Sequence, residues 1–408
     1  MKKKVWLKVA LVLLVLGAVL GCFVFVGQGE KKDPGKSAFS EDDFNWELKM
    51  QVSFKDMLNN LSGNNTEVYL AAIEAADRDA DKNYLDVFFG TLSEYDVLYA
   101  SIFATYRLKD KIKLSSTNEE VEKVIRAEID RIMESTCQIL RTRLYNYGLP
   151  SNVKRIGDSD FLSIKLPKVK DAERVIKLLE MPAGLEFWET YDFVSIRPIF
   201  ERINEELAKA VTEDSDSNGV TNEDDFNNSL FAKLDVEYEP YYGPIVGTAH
   251  YRDTAIVMAM LNSDYAKSLL PRDLKFAWTV HAIDYEDSKY QLIALRSNVG
   301  EPSMKGDVIT EAHADLDSRY EHASVSITMN SEGARRWQLF TRNNIGKAIA
   351  IVLDGYVYSF PTVQNEIPGG TSQITGNFTV DEAKDLANAL NSGKMPVSAR
   401  VVSQSVRQ

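Results

Sequence analysis

The sequence predicts an α+β fold in which two units share one order of strands and helices. Stretches of alternating apolar and polar residues, typical of half-buried strands, are interleaved with amphipathic helical stretches. The order strand, helix, strand, strand, helix, strand occurs once before Tyr191 and again after residue 322. This βαββαβ order is that of a ferredoxin-like fold. An uncharged apolar run near the N-terminus adds one predicted membrane helix ahead of both units.

Residues 1–27 are predicted to anchor the chain in a membrane. The run from Val9 to Gly27 has 19 uncharged residues, which at about 1.5 Å per residue span a hydrocarbon layer of about 30 Å. The lysines before this run predict that the rest of the chain lies outside the cytoplasm. A second interpretation stays open, because "AVLGC" resembles a bacterial lipobox, and its cleavage would leave Cys22 carrying lipid.

Residues 28–43 are polar, contain Pro and Gly, and are predicted to form a tether. The first unit follows. It opens with the strand "WELKMQVSF", continues through a mostly helical insert from Glu67 to Leu108, and then enters an amphipathic helix that begins at Asn118 and ends at Gly148. The strands "NVKRIG" and "FLSIKLPK", the helix "DAERVIKLLE" and the strand "GLEFWETY" complete its predicted order.

The second unit repeats this order without a residue-level repeat. Its predicted elements are the strand "ASVSITM", the helix "SEGARRWQLFTRNN", the strands "KAIAIVLDG" and "YVYSFPTV", the helix "TVDEAKDLANALNSG" and the strand "SARVVSQSV". Asp354 and Gly355 form an Asp-Gly pair between two strands, which predicts a tight hairpin turn. The sequence "IPGG", which ends at Gly370, predicts a second turn and lacks the lysine of a phosphate-binding loop.

The composition argues against nucleic acid as a partner and against enzymatic chemistry. A net charge of −13 and a pI near 5.0 disfavour phosphate binding, which needs clustered Lys and Arg. The sequence contains no G-x-S-x-G, H-E-x-x-H or paired C-x-x-C motif, and its four histidines are scattered. We therefore expect neither enzyme activity nor a cofactor, with calcium as the one exception. Cys137 is predicted to be a buried thiol, and Trp188, Trp278 and Trp337 are predicted to pack in cores.

The acidic stretch from residue 211 to residue 228 is predicted to be a solvated insert or a calcium loop. Positions 1, 3, 5, 7 and 12 of an EF-hand-like loop would be occupied by Asp214, Asp216, Asn218, Val220 and Asp225. Two departures weigh against calcium, because Asp225 replaces the usual bidentate Glu and Thr221 stands where an apolar residue is expected. Both interpretations stay open.

The chain resembles the first exported domain of the SecD family, as found in fused SecDF proteins. The resemblance runs from about Trp46 to Pro396 and is carried by "LRTRLYNYGL", "FLSIKLPKVKDAERVIKLLEMPAGLEFWETY", "YRDTA", "LLPRDLKFAW", "IVLDGYVYSFPTV" and "EIPGGTSQITGNFTVDEAKDLANALNSGKMP". It includes the turn residues of the family motifs, which are Asp354, Gly355, Pro361, Gly369, Gly370 and Gly376.

The resemblance implies a base and a head outside the bacterial inner membrane. The base would span 44–191 as a ferredoxin-like subdomain with a helical insert, the head would span 192–393, and a last strand within 394–408 would return to the base. SecD and SecF assist the SecYEG channel, so the implied partners are SecDF, SecYEG and emerging unfolded preproteins. The expected location is the inner membrane, with one membrane helix and a periplasmic C-terminal domain, or a lipoprotein anchored at Cys22.

The chain also departs from the family in three ways. Its first strand, "WELKMQV", lacks the glycine pair of the family's "LDLKGG"-like motif, and Lys168 replaces the glycine of "LPGV". The resemblance covers only the first membrane helix and the first exported domain. In the family, an intramembrane carboxylate on later helices couples proton flow to movement, whereas the run from Val9 to Gly27 contains no ionisable residue. The resemblance therefore implies a truncated, divergent SecD-like protein without its own proton-coupled motor.

Two functions follow from these expectations. In the first, the exported domain binds translocating preprotein or docks on SecDF or SecYEG, using edge strands and shallow apolar grooves of the head. In the second, the chain is a structural or regulatory subunit of a membrane complex, calcium-responsive through the loop from residue 214 to residue 225, and does not contact substrate.

Overall fold

The computed structural model describes residues 44–63, 66–79, 82–214, 229–236, 243–283, 288–316 and 323–406. The predicted anchor, Cys22 and most of the acidic insert lie outside these ranges. Within them, no helix combines the length and the apolar character that a membrane crossing requires.

A four-stranded antiparallel sheet forms the first part of the fold, which we call the base. Its strands are β1 (Trp46–Val52), β2 (Asn152–Arg155), β3 (Phe161–Leu166) and β14 (Ala399–Val406), in the order β14-β1-β3-β2. This is the ferredoxin-like arrangement, with β14 as its last strand. Alternate residues of β1 are buried and pack with residues of α5 (Asn118–Tyr147) and α6 (Ala172–Glu180).

A helical insert joins β1 to α5 within the base. It consists of α1 (Phe54–Leu61), α2 (Glu67–Arg78), α3 (Tyr84–Ser93) and the short α4 (Tyr99–Phe103). The rings of Tyr69 and Phe88 meet edge to face at 5.7 Å, and those of Tyr69 and Phe103 at 6.3 Å, so aromatic packing holds the insert together. As predicted, α5 ends at Gly148, whose φ of 87° is left-handed.

The rest of the described chain, which we call the head, contains two sheets. The larger has seven strands: β4 (Leu185–Thr190), β5 (Ile245–His250), β6 (Leu274–Trp278), β7 (Lys289–Arg296), β8 (Met304–Lys305), β11 (Ile349–Leu353) and β12 (Tyr356–Ser359). Its main path is β12-β11-β4-β7-β5, while β6 pairs with β7 and β8 pairs with β4. Four helices accompany it: α7 (Phe193–Asp214), α8 (Leu230–Lys233), α9 (Thr254–Leu261) and α10 (Asp264–Leu269).

The smaller head sheet has the order β13-β10-β9, from β9 (Ile309–Leu316), β10 (Ala323–Met329) and β13 (Thr371–Phe378). The helices α11 (Ser331–Asn343) and α12 (Val380–Ser392) pack with it around Trp337, which is 1% exposed. The second predicted βαββαβ unit lacks β13, which lies between β12 and α12, and its strands are distributed over two head sheets and the base.

The predicted α+β class is confirmed, with one strand assigned wrongly. The strand from Leu185 to Thr190 was predicted to complete the base sheet, but β4 pairs with β11, β7 and β8 of the head, and β14 pairs with β1 instead. Burial explains the difference, because Phe187 packs into one head core and Trp188 into another. A strand with apolar residues on both faces is stable only at the centre of a sheet that is covered on both sides.

Candidate functional site

The Asp354–Gly355 turn lies where head and base meet. Their φ angles of 54° and 87° give the two left-handed residues of a tight hairpin turn between β11 and β12, as predicted from the sequence. The Asp354 carboxylate accepts a hydrogen bond of 2.8 Å from the backbone N–H of Gly184, in the segment that leads from the base into β4. Burial raises the pKa of the Asp354 carboxyl above its ordinary value. The hairpin turn is thus attached to the connection between base and head.

Arg143, on α5 of the base, holds both chain segments that pass between base and head. The side chain is fully buried and donates hydrogen bonds to the carbonyl oxygens of Leu178 at 3.0 Å and Gly393 at 3.2 Å, and also to that of Met181. Burial lowers the pKa of the Arg143 guanidinium to about 10, although nearby Asp354 favours its charge. One side chain therefore joins the end of α6 to the residue that follows α12.

Further polar contacts strengthen this connection. Arg174 on α6 pairs with Asp385 on α12 through two nitrogen–oxygen contacts of 2.7 and 2.9 Å, and with Asp381 at 2.8 Å. The Asn388 side chain donates to the carbonyl oxygen of Arg143 at 2.9 Å. Paired, partly buried guanidinium and carboxylate groups fix geometry as well as adding free energy. The two helices therefore keep a defined relation across the junction.

A cleft of about 500 Å³, which we call the joint cleft, opens between α6, the hairpin and α12. Its apolar lining consists of Leu178, Met181, Val280, Leu353, Phe378 and Leu386. Tyr358 and His281 also line it, with ring centroids 6.2 Å apart, and burial raises the pKa of Tyr358 to about 12. Charged residues of α6 and α12 surround this lining, and Arg174 and Lys177 are already in ion pairs there.

The remaining family turn residues shape the head beside this cleft. Pro361 follows β12, and its carbonyl accepts from Ile349 N–H. Gly369 and Gly370 have φ angles of 86° and 71°, and a Cβ on Gly370 would lie 2.5 Å from that of Ala334. A Cβ on Gly376 would lie 3.3 Å from the carbonyl oxygen of Tyr358. The structure gives these residues turn and packing positions.

A second depression, which we call the aromatic pocket, has no charged residue in its lining. Its volume is about 340 Å³, and it is lined by Tyr251, Thr254, Trp278, Thr279, Val280, Tyr290 and Tyr356. Tyr251 and Tyr356 are each about half exposed, at 52% and 53%. The indole N–H of Trp278 is buried without a hydrogen-bond partner in the described part of the chain. Val280 lines both this pocket and the joint cleft.

The aromatic pocket was not predicted from the sequence. Its tyrosines come from three distant places, one after β5, one on β7 and one on β12, so no local spacing links them. Trp278 was expected in a core, but the structure leaves it partly exposed at the pocket. Trp188 and Trp337 are buried as predicted, and so is Cys137, whose thiol pKa is raised by burial. The only local signal was the position of Tyr356 directly after the hairpin turn.

Backbone groups on the outer strands of the head have partners at several positions. The Asn391 side chain on α12 both donates to and accepts from the backbone of Ala312 on β9, at 2.6 and 2.7 Å. Thr248 on β5 exchanges two backbone hydrogen bonds of 2.8 Å with Asp235. On β12, the carbonyl of Val357 accepts from Val280 N–H at 3.0 Å. The expected route of preprotein binding, addition to head edge strands, is therefore occupied at these three positions.

The calcium and lipidation predictions rest on residues outside the described ranges. Asp216, Asn218, Val220, Asp225 and Cys22 all lie there, and Asp214 is the last residue of α7. In the part of the chain that the structure describes, no three or more His, Cys, Asp or Glu residues are grouped as metal ligands would be. Both sites stay predictions.

Comparison with protein families and curated proteins gives one consistent result. Residues 281–397 match the family model described as the SecDF P1 head subdomain. The chain is 30% identical over 376 residues to protein translocase subunit SecD of Rhodothermus marinus, covering 88% of this chain and 60% of that protein. It is 26% identical over 291 residues to SecD of Calditerrivibrio nitroreducens, covering 71% and 43% respectively. The chain thus spans about half the length of these relatives.

Among solved structures, a crystal structure of SecDF in a super-membrane-facing form aligns with 97% of this chain and 34% of its own, at 18% identity and a TM-score of 0.41. A second structure, of a membrane component SecDF that enhances protein export, covers 67% of this chain and 92% of its own, at 24% identity and a TM-score of 0.37.

Proposed function

The chain is a SecD-like protein, and from this premise we propose that it acts in Sec-dependent protein translocation at the bacterial inner membrane. In this proposal the described domain lies on the periplasmic side and associates with components of SecDF or SecYEG. The support is the 30% identity to a protein translocase subunit over 88% of the chain. Within that role, the head binds unfolded segments of the preprotein that is being translocated.

The aromatic pocket is the observation that carries preprotein binding. It is open, uncharged and lined by three tyrosines and a tryptophan. Such rings offer large contact area with little conformational entropy to lose, and they accept many apolar side chains. This breadth suits a protein that meets varied unfolded sequences. Half-exposed Tyr251 and Tyr356 are the residues that a bound side chain would cover.

Two other surfaces of the head are weaker candidates for the same role. On the outer strands β5, β9 and β12, the backbone groups of Thr248, Ala312 and Val357 already have hydrogen-bond partners. Charged residues that are already paired surround the joint cleft, and a ligand that displaced those partners would lose charge-assisted hydrogen bonds. Side-chain insertion at the aromatic pocket meets no charged lining residue, although the neighbouring Arg252 guanidinium lies 5.4 Å from the centroid of the Tyr251 ring and donates to the Tyr251 hydroxyl at 3.0 Å.

The proposal is tested by titrating the full chain in detergent with a fluorescent, chemically unfolded preprotein. We expect Tyr251→Ser with Tyr356→Ser to weaken binding roughly tenfold, because each ring contributes about 0.5–1.5 kcal/mol beyond its buried area. The matched control replaces Tyr106 and Tyr145, which are 84% and 68% exposed and lie in the base, with serine. Equal affinity of the pocket variant and the wild type would remove the pocket from the proposal.

A further inference from the structure

Among the described residues, the helices of the base pack with one face of its sheet, and we call the other face the open sheet face. In the pairing register, Lys49 of β1 lies beside Ser163 of β3, which lies beside Lys154 of β2. In the next row, Glu47 lies beside Lys165. Paired residues of neighbouring strands point to the same side of a sheet, so the three lysines share this face. On the other face, alternate residues of β1 are buried in the core of the base.

The open sheet face is cationic, although the chain as a whole carries a net charge of −13. None of Lys49, Lys154 and Lys165 forms an ion pair with any residue that the structure describes. The Glu47 carboxylate accepts instead from the Ser163 hydroxyl at 2.7 Å. The Lys49 ammonium lies 3.7 Å from the centroid of the Phe161 ring, on the same face. An anionic partner would therefore displace no ion pair between these lysines and the described residues.

More positive charge borders this face, and little negative charge offsets it. Arg400 of β14 lies opposite Gln51 of β1, which shares the open side with Lys49. Lys168 follows β3 and is exposed. The acidic groups there are Glu47, Asp160, whose carboxylate accepts from the Gln51 side chain, and Asp77, which lines the edge near Arg400 and pairs with Lys55 at 2.8 Å. Cations outnumber acids on this face, which is the pattern that anionic surfaces attract.

We propose that the open sheet face rests on anionic lipid headgroups of the membrane that holds the chain. Charge complementarity supports this occupant, and so does chain length. The predicted tether, residues 28–43, has 16 residues, and a fully extended chain of that length reaches at most about 55 Å. The tether would thus allow the base to reach the membrane surface, where anionic headgroups attract nearby lysines. This inference does not depend on preprotein binding by the head.

The test uses the full chain reconstituted in vesicles and a fluorophore placed on the face. In a Cys22→Ser background, Ser405→Cys carries the label, because Ser405 is exposed and lies opposite Glu47. Two kinds of vesicle carry a quencher on their headgroups: one is made of phosphatidylcholine alone, and the other of phosphatidylcholine mixed with phosphatidylglycerol. We expect quenching only with the anionic lipid, and its loss in 1 M salt, where the screening length is about 3 Å.

Three substitutions on the face, Lys49→Gln, Lys154→Gln and Lys165→Gln, should abolish the quenching by anionic vesicles. The control with the same change of net charge is Lys109→Gln, Lys123→Gln and Lys347→Gln. This variant should keep the quenching by anionic vesicles, since these exposed lysines do not lie on the open sheet face. Equal quenching in both lipids, or equal losses in both triple variants, would overturn the inference. A further arm adds an acidic membrane protein to the phosphatidylcholine vesicles. Protection of the label by that protein, together with no effect of anionic lipid, would also overturn the inference.

Discussion

Arg143 and Asp354 show how single side chains can connect base and head. Asp354 could be predicted, because an Asp-Gly pair between two strands indicates a hairpin turn. Arg143 could not, because within an amphipathic helix it has the appearance of an ordinary surface charge. Its carbonyl partners lie 35 and 250 residues away in sequence, and only the folded chain brings them together. The burial of a charge is a tertiary property, for which no local pattern exists.

Replacing Arg143 with Met should destabilise the protein by about 2–4 kcal/mol, because one buried and two partly buried carbonyl groups lose their donor. The single ammonium group of the conservative Arg143→Lys variant would reach fewer of these carbonyls. The unfolding free energy of that variant should therefore lie between those of Arg143→Met and the wild type. Urea-induced unfolding of the full chain measures the change. The control is Arg131→Met, whose side chain is 65% exposed and whose ion pair should contribute less than about 1 kcal/mol. Equal unfolding midpoints for Arg143→Met and Arg131→Met would contradict this assignment.

Asp354 should make the stability depend on pH in a defined direction. Its folded-state pKa is raised by burial above the ordinary value of 3.8, so the folded protein binds this proton more tightly than the unfolded chain. The associated stabilisation is fully present below the pKa that Asp354 has in the unfolded chain. It is lost as pH rises through the raised pKa of the folded state. Asp354→Asn keeps an oxygen acceptor for the Gly184 N–H and tolerates the left-handed backbone.

We therefore expect the unfolding free energy of the wild type to fall relative to that of Asp354→Asn as pH rises above about 4. Asp354→Ala should be less stable than both at every pH, because it loses the acceptor and strains a φ of 54°. Denaturant titrations in steps of pH measure all three proteins. A constant difference between wild type and Asp354→Asn would show that the carboxyl is not buried as described.

The elements show which parts of the fold the sequence determines locally. Strand alternation and helix stops were sufficient to place some elements, as β1 and Gly148 illustrate, whereas β5, β7, β9 and β13 were not predicted. The sheet to which each strand belongs was not determined in every case, since β4, predicted to complete the base sheet, pairs in the head, and β14, which the resemblance implied would return to the base, pairs with β1. The reason is that pairing depends on which surfaces remain uncovered after the helices pack. The apolar residues on both faces of "GLEFWETY" were the available signal for a central strand.

Asn391 on α12 protects the outer strand β9, and its loss should have two effects. Its amide satisfies both the N–H and the carbonyl of Ala312, so Asn391→Leu should cost about 1–3 kcal/mol. It should also promote self-association, since an unprotected strand edge can pair with another chain. Urea unfolding and light scattering measure these effects. Asn146→Leu is the control, because its side chain lies on the exposed surface with one contact of 3.5 Å.

At the scale of the whole molecule, base and head offer different kinds of surface. The base presents lysines on the open sheet face, while the head presents the uncharged aromatic pocket and, against α6 of the base, the joint cleft. The family resemblance implied a base and a head, but no sequence pattern indicated the pocket, because its rings converge from four separate strands or their ends. The proposed division between a face for the membrane and a pocket for the preprotein would account for both surfaces.

Site-specific photocrosslinking during translocation tests the central claim most directly. A photoreactive amino acid replaces Tyr356 in the pocket or, as a control, Tyr145 in the base, and a preprotein is arrested midway through the channel in membranes. The account predicts crosslinks from position 356 to the arrested preprotein and none from position 145. Crosslinks from position 356 to Sec proteins alone, with the preprotein absent from every adduct, would contradict it and favour a structural subunit.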